Sequence, residues 1–182
     1  MSEDKNAEEW KPLPEFPGYS ISNYGRVYND DTGMEIRPTI NQRGLAMIGP
    51  SKDGKQYRRG LAPLVADVFL SRAGLADRFD TPIHLDGDRS NCEVFNLMWR
   101  PRWFAVMYHK QFKDPKSSVA VPIRDVETNE WYPNSWDAAI KHGLLDIHIR
   151  NSIYNRTWTF PTHQTFELDM EAYNEDYNST DI

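Results

Sequence analysis

A single cysteine, Cys92, stands in 182 residues. An internal disulfide and a cysteine-based metal cluster are thereby excluded, and a reducing cytoplasm fits. Long apolar runs are missing too. The longest, residues 64–70 and 104–108, are far shorter than a membrane span, so no membrane partner is expected. Residues 1–6 are polar and acidic, without the pattern of a signal or transit peptide. No internal repeat is present. What remains is a polar chain, 39% hydrophobic with a mean hydropathy of -0.72. It is long enough for one core or for two or three small modules.

Positive charge is in deficit overall, with a net of -6, which at first argues against nucleic acid. Its distribution reverses that reading. Residues 1–35 hold three Lys/Arg against eight Asp/Glu, residues 36–116 fourteen against eight, residues 117–166 four against five, and residues 167–182 none against six. A basic middle therefore lies between acidic ends, and affinity for DNA follows local patches rather than the total. The acidic end from Glu167 reads as a solvated tail, and residues 1–9 as disordered.

Between those ends the punctuation predicts modules. Pro12, Pro14, Pro17 and Gly18 precede β-prone runs at 19–22 and 26–29, around Asn23-Tyr24-Gly25, and at 34–40. Runs at 45–49 and 56–61 flank Lys52-Asp53-Gly54-Lys55, a hairpin signal. A helix is expected from Pro63 to Gly74, with Leu64, Val65, Val68 and Phe69 on one face. A strand follows at 82–85, a turn at 86–88, a turn or two of helix at 91–97, and a second helix at 101–112. Residues 113–118 read as a linker. Beyond it a hairpin is expected from 119–125 and 130–132, with a helix capped by Ser135 and stopped by Gly143. Asp146 is expected to cap another helix through about Asn155, the pair suggesting helix-turn-helix.

Three stretches carry a resemblance. One runs from Glu9-Trp10-Lys11-Pro12 through Phe16-Pro17-Gly18-Tyr19 to Tyr24-Gly25-Arg26-Val27. The second runs from Leu64-Val65-Ala66 through Ile83-His84-Leu85-Asp86-Gly87-Asp88-Arg89-Ser90-Asn91 to Asn96-Leu97-Met98-Trp99. The third holds Pro122-Ile123, Trp131, Ser135, Ala138-Ala139, Gly143, Ile149, Ile153 and Thr159-Phe160. In this order they resemble the nuclease-associated N-terminal module, the ββα-metal nuclease centre and the C-terminal helix-turn-helix of phage-type HNH homing endonucleases. The resemblance implies an α+β fold with a small N-terminal antiparallel sheet module (10–60), an HNH-like ββα-metal centre (61–112) and a helix-turn-helix module (119–166). It implies that His84 descends from the general base that activates water, and that Asn96 belongs to the same site on a helix facing the strand of His84.

Departures from the family's pattern bear on activity. The residue before the base histidine is a metal ligand in the family and is Ile83 here. A second ligand, six residues after the Trp, falls on Ala105. An earlier family histidine falls on Ala62, and the second Asn of an Asn-Asn pair on Cys92. A single divalent cation of the magnesium type needs oxygen ligands, and without it the phosphodiester loses its electrophilic stabilisation. The expectation is a vestigial site with no cofactor. Were the nuclease active, Mg²⁺ or Mn²⁺ would need Asp86 or Asp88.

Candidate DNA contacts are Arg26, Arg37, Arg43, Lys52, Lys55, Arg58, Arg59, Arg89, Asn91, Arg100 and Arg102 around the centre. His148, Arg150, Asn151, Tyr154, Asn155 and Arg156 lie on or just after the last helix. Lys and Arg along a hairpin can follow phosphates, while Arg and Asn on a helix can read guanine and adenine edges. The reading is a monomeric, sequence-specific double-stranded DNA-binding protein from a phage or mobile element. It would be repurposed as a transcription regulator, repressor or occluding factor in the bacterial cytoplasm, at the nucleoid when DNA-bound. An active metal-dependent HNH nickase and an acidic protein-binding decoy are the alternatives.

Overall fold

A computed structural model describes residues 7–169 as a mixed α and β chain of small antiparallel sheets and four helices. It divides into two compact units, one through Ala105 and one from Val106. Among the described residues no helix is long and apolar enough to cross a membrane.

The first unit opens with a four-stranded meander: β1 (Trp10–Pro12), β2 (Tyr19–Ser22), β3 (Val27–Asn29) and β4 (Met34–Glu35). Its start is firmer than expected. The Glu9 amide donates to Asn23 Oδ1 at 2.9 Å, and the Asn23 amide donates back to the Glu9 carbonyl at 3.0 Å. Residues 7–9 thus belong to the fold, while the rest of the expected disordered segment lies outside the described residues. The run at 34–40 is not one strand. Pro38 cannot donate to a ladder, and the chain leaves β4 to enter β5 (Thr39–Ile40) in a different sheet, with β6 (Ala46–Ile48) and β9 (Arg59–Gly60). Between these last two, β7 (Ser51–Lys52) and β8 (Lys55–Gln56) form the hairpin that Asp53-Gly54 predicted. Both turn residues have positive φ, 51° and 71°, as a tight hairpin turn requires.

Helix α1 covers Leu61–Phe69, starting earlier than expected, with Pro63 in the first turn where its missing N–H costs nothing. It ends at Phe69 rather than at Gly74. Leu70 turns extended, and the Ser71 hydroxyl accepts from the Ala73 amide, drawing the chain into a turn. Leu61, Leu64 and Val65 are buried, and α1 packs on β6, β9 and the next hairpin. That hairpin is β10 (Thr81–His84) and β11 (Leu97–Arg100), paired from Thr81↔Arg100 to His84↔Leu97. The expected 91–97 helix is reduced to one 3-10 turn at Val94–Asn96, and Leu97, expected at its end, instead opens a strand through Arg100 that the sequence did not predict. Helix α2 (Arg102–Gln111) follows, with the division between units inside it.

The second unit is a three-stranded sheet in the order β13 (Trp131–Tyr132), β12 (Ile123–Asp125), β14 (Phe166–Leu168), with helices α3 (Ser135–His142) and α4 (Asp146–Asn155). Ile123, Tyr132, Ala139, Leu144, Ile149 and Phe166 form its core. Glu167 pairs with Arg124 across the sheet, so the solvated tail does not begin there. The remainder of that acidic segment, from Met170, lies outside the described residues. Two capping expectations are corrected. Asn134 caps α3, its side chain accepting from the Asp137 amide, which frees Ser135 to donate inward to Asp146 at 2.5 Å. Asp146 caps nothing; buried, its carboxylate also accepts from the Ser118 amide and hydroxyl. The expected linker is thereby fastened at its end to the second unit.

Candidate functional site

His84 closes strand β10 and is 2% exposed. Burial lowers its pKa to about 4, the Arg89 charge adds to the effect, and Asp86 and Asp88 partly offset it. The imidazole is therefore neutral at neutral pH, a protonation state suited to a base. What surrounds it is a different matter. Ile83, its chain neighbour, is wholly buried and has no donor atom; Ala105 on α2 is 3% exposed and has none either.

The two aspartates near His84 shape the loop. Asp86 Oδ1 accepts from the Asp88 amide and from Asn96 Nδ2, both at 2.9 Å, and its Oδ2 accepts from Asn91 Nδ2 at 2.8 Å. Asn96 completes the clasp, accepting from the Asp86 amide and donating to the Asn91 carbonyl. So Asn96 sits at the end of the 3-10 turn in the same hairpin loop, not on a facing helix. Asp88 is held by the amide and hydroxyl of Ser90, which lower its pKa. Among the described residues, no group of three or more His, Cys, Asp or Glu side chains is placed to hold a metal ion. The residues present do not fit the cation that the family resemblance implies.

Two other departures meet one another. Cys92 is buried, and desolvation pushes its thiol up to about 12, while a backbone hydrogen bond from Ala62 acts the opposite way. Positions 62 and 92 are buried packing. Gly25 closes on the same spot: a Cβ there would lie 3.1 Å from the Cys92 carbonyl oxygen. The Val94 amide donates to the Asn23 carbonyl at 2.8 Å, so the N-terminal meander is clasped to the hairpin loop.

The candidate cations divide into three groups. Arg37, Arg43, Lys55, Arg58 and Arg102 are exposed. Arg26 is bound by Glu8 and Glu35, Arg59 by Glu15 at 2.6 Å, and Lys52 donates to the Glu15 carbonyl. Arg100, expected on the surface, is 6% exposed and lies against the Phe104 ring; strand β11 turns it inward. Arg89 is half-buried and donates to the Arg43 carbonyl at 3.3 Å, its pKa lowered by burial and by the Arg43 charge. In the second unit, Arg150, Asn151, Tyr154, Asn155 and Arg156 are exposed, alternating with buried Ile149 and Ser152. His148 is half-buried, its pKa lowered by burial. A surface aromatic that the sequence reading did not single out, Trp158, follows α4 and is 54% exposed. An isolated Trp in a polar, turn-rich run was the available signal.

Comparison with known proteins gives this arrangement a class. Residues 8–49 match the NUMOD4 motif, and about half of the chain aligns with HNH endonucleases. Over that half the chain is similar to HNH endonucleases of phages and a giant virus. Among its relatives, an uncharacterized HNH endonuclease, L247, of Acanthamoeba polyphaga mimivirus is 32% identical over 96 residues, 53% of this chain and 24% of that protein. DNA endonuclease I-HmuI of Bacillus phage SP01 is 33% identical over 92 residues, 50% of this chain and 51% of that protein. A solved structure described as DNA binding and cleavage by the HNH homing endonuclease I-HmuI aligns at 24% identity with a TM-score of 0.48, covering 89% of this chain and 98% of that one. The chain thus spans about a quarter of the first relative's length and about half of the second's.

Proposed function

We propose that this protein binds double-stranded DNA at defined sequences and no longer cleaves it. In this reading β10, β11 and α2 are the remnant of a ββα-metal centre, and α3 and α4 a helix-turn-helix. The protein acts as a repressor or occluding factor of a phage or mobile element. One observation carries the reading. Beside His84, both ligand positions are closed by buried aliphatic residues, yet two cations adjoin there, Arg89 donating to the Arg43 carbonyl at 3.3 Å. Like charges held together are relieved by an anion between them, and a DNA phosphate supplies one. Binding parts are kept where catalytic parts are lost. The N-terminal and central cations follow phosphates, and Arg150 and Asn151 on α4 read base edges.

The test has two steps. Duplexes are selected from a randomised pool by the full chain, and the enriched duplex is then incubated with the protein and Mg²⁺ or Mn²⁺. The expected result is an enriched sequence and no nick. Nicking would restore the active endonuclease, and a failure to bind duplex at low salt would leave the acidic decoy.

A further inference from the structure

We infer that Trp158 and His163, whose rings pair in tilted contact beside α4, form a second DNA contact: an aromatic edge that packs on the sugars and base edges flanking the site α4 reads. The inference rests on the DNA reading above.

The two rings lie 4.3 Å apart between centroids at 37°, and both residues are exposed. An indole left half in water is held there by a closed loop. The Thr159 amide and hydroxyl both donate to the Gln164 carbonyl, at 2.7 and 3.0 Å, and the His163 amide donates to the Thr159 carbonyl at 2.8 Å. The base of the loop is fastened to α4, with the Thr157 amide on the Ser152 carbonyl and the Phe166 amide on Ser152 Oγ. Gln164 Nε2 fastens it to Asp125 on β12 at 2.5 Å. His163 has φ +61°, a conformation a Cβ disfavours and glycine adopts freely. A ring is present where the backbone would favour none, and it lies in tilted contact with Trp158.

The surroundings select the partner. Along the chain the rings follow the exposed Arg150, Asn151, Tyr154 and Arg156, so exposed cationic and hydrogen-bonding groups are succeeded by an exposed aromatic pair. Duplex DNA offers the matching sequence of surfaces: phosphates and base edges, then deoxyribose and exposed ring faces at a deformable step. A rigid aromatic pair also orders little on contact, which favours binding.

The test uses the duplex selected by the full chain, titrated by fluorescence anisotropy across a range of KCl concentrations. Trp158→Ala is expected to weaken binding about tenfold at every salt concentration with an unchanged salt slope, because an apolar contact releases no counterions. Arg150→Ala, by contrast, is expected to lower the slope by up to about one. His163→Gly keeps the turn and removes the ring against Trp158; it is expected to weaken binding about threefold with its melting temperature retained, as for a preorganised anchor that loses its support. Trp158→Phe should recover most of the loss. Wild-type affinity in Trp158→Ala, or a changed salt slope, overturns the inference while leaving the DNA reading intact. Should Trp158→Ala unfold, wild-type affinity in a folded His163→Gly overturns it instead. Absence of duplex binding by the wild-type chain overturns both.

Discussion

At the scale of single residues, the proposed absence of cleavage turns on the surroundings of His84. Its imidazole is buried on β10 beside Ile83, which offers no metal donor, and that burial has a consequence for stability. In the unfolded chain it takes up a proton near pH 6.5; in the fold it resists protonation until about pH 4. Between those values the unfolded state binds the extra proton, and stability falls as pH falls. The contribution is fully present above about pH 6.5, drains away through the window, and is on the order of 3 kcal/mol at most. Urea unfolding at a series of pH values is expected to show this decline, and His84→Leu to flatten it. An unflattened profile would place the proton uptake on other groups. The same environment explains why a base alone does not make a nuclease. A neutral imidazole can accept a proton, but the departing oxygen still needs a positive charge, and neither Ile83 nor Ala105 can hold an ion.

At the scale of elements, the second unit shows how short-range chemistry places the helix face proposed to read DNA. Asn134 caps α3, Gly143 ends it with φ +58°, and Asp146 gathers Ser118 and Ser135 under the start of α4. Asn134→Ala removes one cap and is expected to cost about 1 kcal/mol. Ser135→Ala strips a hydrogen bond from a buried carboxylate and is expected to cost more, about 2–3 kcal/mol. Melting curves of the two variants test the order, and the reverse order would restore Ser135 as the cap. On α4, Arg150→Ala or Asn151→Ala is expected to reduce discrimination between selected and random duplex by about 1–3 kcal/mol, as for a true base contact. Competition binding measures this, and unchanged discrimination would move the reader elsewhere. Much of this unit was legible in the sequence, because helix period, Gly143 and the Asn129 turn are local signals. The partners of Ser135 and Asp146 were not, since both residue types suit a cap and only the tertiary fold decides. In the same way β11 escaped notice: Leu97-Met98-Trp99-Arg100 is too short to show a period, and its strand character comes from pairing with β10. That Ile83 and Ala105 carry no metal donor was visible without any fold. The inward turn of Arg100 and the Asp86 clasp were not, since both depend on the register of that hairpin.

At the scale of the whole molecule, an acidic protein is proposed to hold a polyanion, so what matters is which cations remain free. The total of -6 predicts slow, unsteered approach to DNA; a patch of uncompensated Arg and Lys predicts the reverse. Neighbouring residues Arg58 and Arg59 separate these effects. Arg58 is exposed, while Arg59 is bound to Glu15 at 2.6 Å and lies over the Phe16 and Tyr57 rings. A cation already neutralised by a carboxylate has fewer counterions to release on meeting a phosphate. Arg58→Ala is therefore expected to weaken binding to all duplexes about equally and to lower the slope of log K against log salt by about one. Arg59→Ala should change the slope much less, and Glu15→Gln should raise both affinity and slope by freeing Arg59. Titrations of all three variants against selected and random duplexes decide the matter. Equal effects of Arg58→Ala and Arg59→Ala would mean that DNA displaces Glu15 from Arg59. No effect of either would take the hairpin side of the first unit off the DNA and leave the cations near His84, with those of α4, to supply the affinity.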